Sequence, residues 1–253
     1  MMTGNKLGAI DIVPGEGIVT EPAVNPWLDW TARAAIVIVF TSLAFISLVG
    51  IPQLLPLDSI HKVLVVAARI ANVMFLSLIA STTLTRLAPI LKSRGIEPRI
   101  SALLGTFMSI GLVLLPKADL GPILSVTSTV LIIAGTTLSF VVLRWLGKSF
   151  SILAEARRLV TEGPYRMVRH PLYICEGLAI VGVVLQVISP LAVLIVIVVA
   201  MLQYRRMINE EAILNLAFPE YRAYAARTPR VIPALPAGFY SMPNADMGDS
   251  EAQ

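Results

Sequence analysis

The chain has 253 residues, of which 56% carry hydrophobic side chains and only 14% are charged, whereas an average soluble domain is about 25% charged. This composition excludes an ordinary soluble globule, and a formal charge of +4 is too small for the dense basic face of a nucleic-acid-binding protein. One cysteine and two histidines exclude a disulfide framework and a cysteine- or histidine-rich metal site. We therefore predict neither a nucleic-acid partner nor a bound metal.

The first 30 residues contain glycines, prolines and four acidic residues, and they lack the basic start and early apolar stretch of a signal peptide. We expect residues 1–30 to form a flexible cytoplasmic tail. Trp27 and Trp30 stand at its end, where tryptophan is typical of a membrane interface.

Apolar residues then fall in blocks long enough to cross a hydrocarbon layer of about 30 Å, which takes about 20 helical residues. The blocks are Thr31 to Gly50, His61 to Leu84, Ile100 to Leu115, Pro122 to Leu146, Leu172 to Ile188 and Pro190 to Met207. The pattern predicts an all-α, polytopic membrane bundle of about six transmembrane helices. The polar faces that soluble core helices would need are almost absent.

Lysine and arginine are concentrated in every second connection between these blocks. Such residues are enriched in the cytoplasmic loops of membrane proteins. The segments after the second, fourth and sixth blocks hold four, six and five of the 20 basic residues, whereas the opposite loops carry only Lys62 and Lys117. We therefore expect a multi-pass protein with both termini in the cytoplasm.

Polar residues become dense between Arg144 and Pro233. The fifth block begins with His170-Pro171, and proline suits the first turn of a helix because no amide hydrogen is needed there. Helical spacing then places His170, Tyr173 and Gly177 on one face. Free amides and the positive dipole end at such a helix start attract a carboxylate or phosphate.

The fifth and sixth blocks are separated only by a short turn at Ser189-Pro190, so we predict an antiparallel hairpin open toward the cytoplasm. Polar residues from both legs then meet at the open end. They are His170 and Tyr173 on one leg, and Arg206, Glu210 and Glu211 on the other. Arg206 and Glu210 are spaced to pair on a helix surface, and residues 208–217 alternate as in an amphipathic helix lying on the membrane or the bundle.

These residues form a two-part pattern. The first part is Leu159-Val160-Thr161-x-Gly163-Pro164-Tyr165-Arg166-x-Val168-Arg169-His170-Pro171-x-Tyr173, and the second is Arg206-x-x-x-Glu210-Glu211-x-x-Leu214-x-x-x-Phe218-Pro219-Glu220-Tyr221-x-x-Tyr224, followed by Pro229-Arg230-x-x-Pro233. The pattern resembles the isoprenylcysteine carboxyl methyltransferase family and its phospholipid methyltransferase relatives. The pattern covers about a third of the chain. This chain departs from the family pattern at Cys175 and Pro219, where many members have glycine.

The resemblance implies S-adenosylmethionine as the methyl donor, bound at the open end of the hairpin. It implies donor-binding roles for Tyr165, His170 and Tyr173, with Glu210 and Glu211 on the ribose hydroxyls or the amino group. Three further residues are candidate catalytic residues. Arg169 and Arg206 would position an anionic acceptor, and Glu176 would accept a proton from an amine.

Composition and the apolar blocks predict the tail, a four-span bundle over residues 31–146 and a disordered tail over 234–253, and the resemblance implies a methyltransferase-like core over 147–233. We predict a membrane enzyme, in the inner membrane of a bacterium, that methylates a lipophilic or lipidated acceptor among membrane lipids. Carboxyl O-methylation of an isoprenylcysteine-like substrate is the first interpretation. The alternatives are N- or S-methylation of a phospholipid or another small lipophile, and a non-catalytic transporter or scaffold.

Overall fold

The computed structural model describes residues 26–233. The tail predicted for residues 234–253 therefore lies outside the described residues, as does most of the tail predicted for residues 1–30. Seven α-helices and two very short strands follow one another along the described chain. They are α1 (Pro26–Val49), α2 (Ile60–Thr85), β1 (Leu91–Lys92), α3 (Glu97–Phe107), α4 (Pro122–Leu146), β2 (Glu155–Ala156), α5 (Pro171–Gln186), α6 (Pro190–Ala217) and α7 (Tyr221–Arg227).

The predicted all-α membrane bundle is confirmed. Among the described residues, five helical stretches are long and apolar enough to cross a membrane. They are Asp29–Leu54, Ile60–Thr85, Glu97–Leu114, Pro122–Ser149 and Pro190–Ala217. The remaining predicted span is α5, which is apolar but has only 16 residues. At about 1.5 Å per residue, it is shorter than a hydrocarbon layer of about 30 Å.

Helices α5 and α6 begin as their prolines predict. Pro171 and Pro190 occupy their first turns, and the Ser189 side chain accepts a hydrogen bond of 3.1 Å from the Ala192 amide. Helix α6 then runs unbroken for 28 residues, because neither glycine nor proline interrupts it after Pro190. The amphipathic segment predicted over residues 208–217 is therefore the C-terminal part of α6 and not a separate helix.

Helix α5 packs most extensively against α4, while α6 packs against α3, so contact within the α5–α6 pair is the lesser one. Glycine makes the α4–α5 approach possible. A Cβ at Gly135 would lie 2.4 Å from the Ala179 amide nitrogen, and one at Gly182 would lie 2.7 Å from the Ser128 carbonyl oxygen. The Ser128 hydroxyl also donates to the Gly182 carbonyl at 2.9 Å.

The segment after α4 returns to the connection between α2 and α3. β1 pairs antiparallel with β2, with Lys92 opposite Glu155. Two further backbone hydrogen bonds flank this pair, from Ile90 to Ala156 at 2.7 Å and from Ser93 to Ala154 at 3.0 Å. These bonds fix residues 149–160 as one wall of the pocket described below.

Candidate active site

A polar pocket opens where the start of α5, the second half of α6, α7 and the 149–160 segment meet. Its empty volume is about 880 Å³, including open space at its mouth. Seven of the eight residues predicted for the site line it, the exception being Glu211. The seven are Tyr165, Arg169, His170, Tyr173, Glu176, Arg206 and Glu210.

His170 lies between the two adjacent carboxylates of α6. Its Nε2 is 2.9 Å from Glu211 Oε1, and its Nδ1 is 3.9 Å from Glu210 Oε2. The ring of Tyr173 meets the imidazole edge to face, with 5.5 Å between the ring centroids. The imidazole is 6% exposed, so its orientation is fixed before any ligand arrives.

Tyr173, Glu210 and Arg206 form a second group on the same side of the pocket. The Tyr173 hydroxyl donates to Glu210 Oε1 at 2.6 Å, and Arg206 Nε donates to the same oxygen at 3.1 Å. The guanidinium of Arg206 lies 5.2 Å from the centroid of the Tyr173 ring, a cation–π distance. The spacing of Arg206 and Glu210 predicted this ion pair, and the structure confirms it.

Arg206 is held from two further directions. It donates to the Thr106 hydroxyl of α3 at 3.2 Å and to the Ser151 carbonyl at 3.3 Å. A buried guanidinium with this many partners is rigid. The arrangement links α3, the 149–160 segment and α6 at the pocket wall.

Glu211 lies behind the imidazole, away from the pocket lining. Arg230 donates two hydrogen bonds of 2.7 and 2.9 Å to its carboxylate, and Arg169 Nη1 lies 2.9 Å from its Oε2. This carboxylate therefore joins the first motif to the end of the second. Arg169, predicted to position an acceptor, is already engaged in this ion pair.

The chain after α7 folds back onto the first motif. The amides of Arg169 and His170 donate to the carbonyls of Pro229 and Arg230, at 2.9 and 3.1 Å. The Tyr224 hydroxyl donates to the Tyr165 carbonyl at 2.6 Å. Burial raises the pKa of Tyr224 to about 12, so this hydroxyl keeps its proton at neutral pH.

Glu176 lies farther along α5 and faces the pocket. Its Oε2 accepts a hydrogen bond of 3.3 Å from the Gln203 amide of α6. Within residues 26–233, no lysine, arginine or histidine nitrogen lies within 4.0 Å of its carboxylate oxygens. The carboxyl group is thus the pocket acid that is free of an ion pair.

Sequence reasoning did not include Glu155 and Arg157 among the site residues, yet both line the opposite wall of the pocket. Arg157 donates from Nη2 to the Glu155 carboxylate. Residues two apart in extended backbone point to the same side. That spacing was the signal that could have indicated the pair.

The described fold and pocket define an integral membrane protein whose polar site is built from two sequence motifs on neighbouring helix ends. Residues 120–220 match the family model described as phospholipid methyltransferase. This match confirms the resemblance to the family of membrane methyltransferases that the motifs indicate.

Two curated relatives align with a similar length of the chain. The nickel-cobalt-cadmium resistance protein NccN of Alcaligenes xylosoxydans xylosoxydans is 39% identical over 82 residues, which is 32% of this chain and 38% of the relative. The cobalt-zinc-cadmium resistance protein CzcN of Cupriavidus metallidurans is 47% identical over 79 residues, 30% of this chain and 36% of the relative. The alignments thus span little more than a third of each relative. Among the described residues of this chain, no group of three or more His, Cys, Asp or Glu side chains could hold a metal ion.

Proposed function

We propose that the protein is an S-adenosylmethionine-dependent methyltransferase that modifies a lipophilic acceptor within the membrane. The observation that carries the proposal is the meeting of His170, Tyr173 and Glu210 at one pocket in a chain whose residues 120–220 match a methyltransferase family. The first acceptor class is the carboxylate of an isoprenylcysteine-like molecule.

The side of the pocket formed by α5 and α6 suits the donor. S-adenosylmethionine carries a sulfonium cation and an ammonium group, and both are attracted by carboxylates and aromatic faces. Tyr165, His170 and Tyr173 would contact the donor, and Glu210 would bind its ribose hydroxyls or its amino group. Glu211 would act one step removed, by holding the imidazole of His170.

When bound, the donor supplies an electrophilic methyl group. The protein contributes orientation and exclusion of water, which are the main requirements when the acceptor is already an anion. Arg206 would set the geometry of the pocket through Glu210 and Tyr173, and Arg169 through Glu211. If the acceptor is a phospholipid amine, Glu176 would take its proton, because this carboxyl group has no ion-pair partner among the described residues.

We infer that the pocket lies at the cytoplasmic surface of a bacterial inner membrane, with both termini on that side. The distribution of lysine and arginine supports this orientation. The domain division into a four-span bundle (residues 31–146) and a methyltransferase core (residues 147–233) is part of the same proposal. A lipophilic acceptor would then enter between helices while the donor enters from the cytoplasm.

The test is incubation of membranes containing the protein with methyl-labelled S-adenosylmethionine, followed by separation of lipid-extractable and protein-bound products. The proposal expects label in a lipid or lipidated product. His170→Ala should abolish the label. His61→Ala is the matched control, because His61 is the other histidine of the chain and lines a different pocket. This variant should leave the label unchanged. Equal products with and without the protein would leave a transporter or scaffold as the alternative.

A further inference from the structure

A cluster of basic side chains lies behind the pocket wall formed by residues 149–160. Its cations are Arg33, Arg86, Lys92 and Arg157, and its anions are Asp29 and Glu155. We call this set the basic cluster. Its ion pairs connect α1, the end of α2, β1 and β2. With four positive and two negative groups, the basic cluster carries an excess of two positive charges.

The ion pairs of the basic cluster leave part of it unmatched. Asp29 is shared by Arg33 at 2.7 Å and Arg86 at 3.0 Å, and Lys92 reaches the same carboxylate at 4.0 Å. Glu155 is shared by Lys92 at 3.4 Å and by Arg157. Each acid therefore serves at least two cations, and neither carboxylate can neutralise its set.

Arg157 is the most deeply buried member, with a side chain that is 0% exposed. Only its Nη2 has a hydrogen-bond acceptor, whereas Nε and Nη1 are buried and have none within the described part of the chain. Arg86 Nε is in the same condition. Buried donors are normally satisfied, and an unsatisfied one that is charged is costly. The arrangement is therefore that of a site built for an acceptor that arrives from outside.

The pocket is the route by which such an acceptor arrives, because Arg157 lines it together with Glu155. The opposite side of the pocket carries Glu176, Glu210 and Tyr173. The pocket thus has an acidic and aromatic side for a cation and a basic side for an anion. A guanidinium with two free donor nitrogens matches the geometry of a carboxylate or a phosphate.

We propose that Arg157 is the binding residue for an anionic oxygen group, a carboxylate or a phosphate, in this pocket. The inference rests on the proposed function and narrows its substrate class. Two sources share this chemistry, namely the charged group of the lipophilic acceptor and the carboxylate of the methyl donor. Glu155 limits the affinity for the anion, because it competes for Nη2 of Arg157.

The experiment uses calorimetry on full-length protein in detergent to compare probes that carry a carboxylate or phosphate, called the charged probes, with matched probes that lack this group. The donor probes are S-adenosylhomocysteine and its decarboxylated form. The acceptor probes are N-acetyl-S-farnesylcysteine, its carboxamide and lysophosphatidic acid. The variants are Arg157→Gln, Arg157→Lys and Glu155→Gln, with thermal unfolding measured for each.

Arg157→Gln should weaken the charged member of one probe set by about tenfold or more, and it should not weaken the partner that lacks the anionic group. Arg157→Lys keeps the positive charge but loses the two parallel donors of the guanidinium. Its affinity for the charged probe should therefore lie between those of wild type and Arg157→Gln. Glu155→Gln should have the opposite effect and tighten the charged probe. If Arg157 and Glu155 had only structural roles, Arg157→Gln and Glu155→Gln would both weaken the binding of every probe. An effect confined to S-adenosylhomocysteine assigns the anion to the donor, and one confined to farnesylcysteine or lysophosphatidic acid assigns it to the acceptor.

Three results would each overturn the inference. The first is equal affinity of Arg157→Gln and wild type for every charged probe. The second is equal weakening of the probes with and without the anionic group. The third is weaker binding of the charged probe to Glu155→Gln. Failure of the proposed function is a different result, in which wild type binds neither donor probe, and lysophosphatidic acid then still tests the anion site. If Arg157→Gln unfolds, the opposite effects expected of Arg157→Lys and Glu155→Gln decide.

Discussion

Glu210 and Glu211 are neighbours in sequence but occupy different environments. Successive residues of an α-helix differ in direction by about 100°, so one carboxylate faces Tyr173 and the pocket while the other faces Arg169 and Arg230. The first is placed to touch a ligand. The second holds His170 and joins the two motifs.

This difference predicts that two conservative substitutions differ in their effect on donor binding. Glu210→Gln should weaken donor binding about tenfold or more, since it removes the charge that faces the pocket, and it should also lower the free energy of unfolding, because the buried Arg206 loses its counter-charge. Glu211→Gln should lower the free energy of unfolding by about 2 kcal/mol, because Arg169 and Arg230 lose a mostly buried counter-charge. Calorimetry and thermal unfolding of both variants check this pair. Weaker donor binding in Glu211→Gln than in Glu210→Gln would show that Glu211 is the ligand-facing acid.

The chemistry of the site was predictable from the sequence, but its finer geometry was not. The two motifs indicate His170, Tyr173 and Glu210, and the structure places these residues together. Which of the two acids faces the pocket depends on the rotation of α6 about its axis, which tertiary packing sets. Arg157 was not predicted as a site residue, because its position at the pocket follows from the long-range pairing of β1 with β2.

At the scale of elements, the close approach of α4 and α5 depends on glycine. In Gly182→Ala the new Cβ would lie 2.7 Å from both the Ser128 carbonyl oxygen and Ile132 Cγ1. The backbone atom cannot move aside alone, so we expect a loss of about 1–3 kcal/mol of stability. Gly177→Ala in the same helix is the control, because its new Cβ would meet nothing within 4 Å. Alanine also has a higher helix propensity than glycine.

Thermal unfolding in detergent measures both glycine variants. Gly182→Ala should unfold below wild type, and Gly177→Ala should unfold at the wild-type temperature or above it. Equal stability of the two variants would mean that α4 and α5 can separate freely.

The existence of the helices was predictable because long apolar blocks and prolines at first turns are local signals. The ends of the helices, and the helices against which each one packs, were less predictable. α5 is shorter than predicted because it ends at Gln186, and α6 is longer because nothing in residues 208–217 breaks it. The sequence pattern predicts that α5 and α6 are consecutive and antiparallel, but not that α5 packs mainly on α4, which depends on glycines that meet only in the folded bundle.

For the whole molecule, composition alone predicted the class, since a chain with 14% charged residues and repeated apolar blocks cannot expose those blocks to water. The proposed orientation adds a testable statement. Lys148 and Lys117 are both exposed in connections on opposite sides of the bundle. A single-cysteine set is simple to build because Cys175 is the sole cysteine of the chain.

In a Cys175→Ser background, Lys148→Cys should react with a membrane-impermeant maleimide only in inside-out vesicles. Lys117→Cys should react in intact cells whose outer membrane has been opened. The three connecting segments that hold fifteen of the 20 basic residues would then lie on the cytoplasmic side. The opposite labelling pattern would place the pocket on the outer face, away from the cytoplasmic supply of methyl donor.

The most direct measurement is calorimetric binding of S-adenosylmethionine to the full-length protein in detergent, for wild type, His170→Ala and His61→Ala. A donor site between His170, Tyr173 and Glu210 predicts saturable binding of one donor per chain, lost in His170→Ala and kept in His61→Ala. Absence of binding to the wild-type protein, or unchanged affinity in His170→Ala, would contradict the assignment of this pocket to the methyl donor.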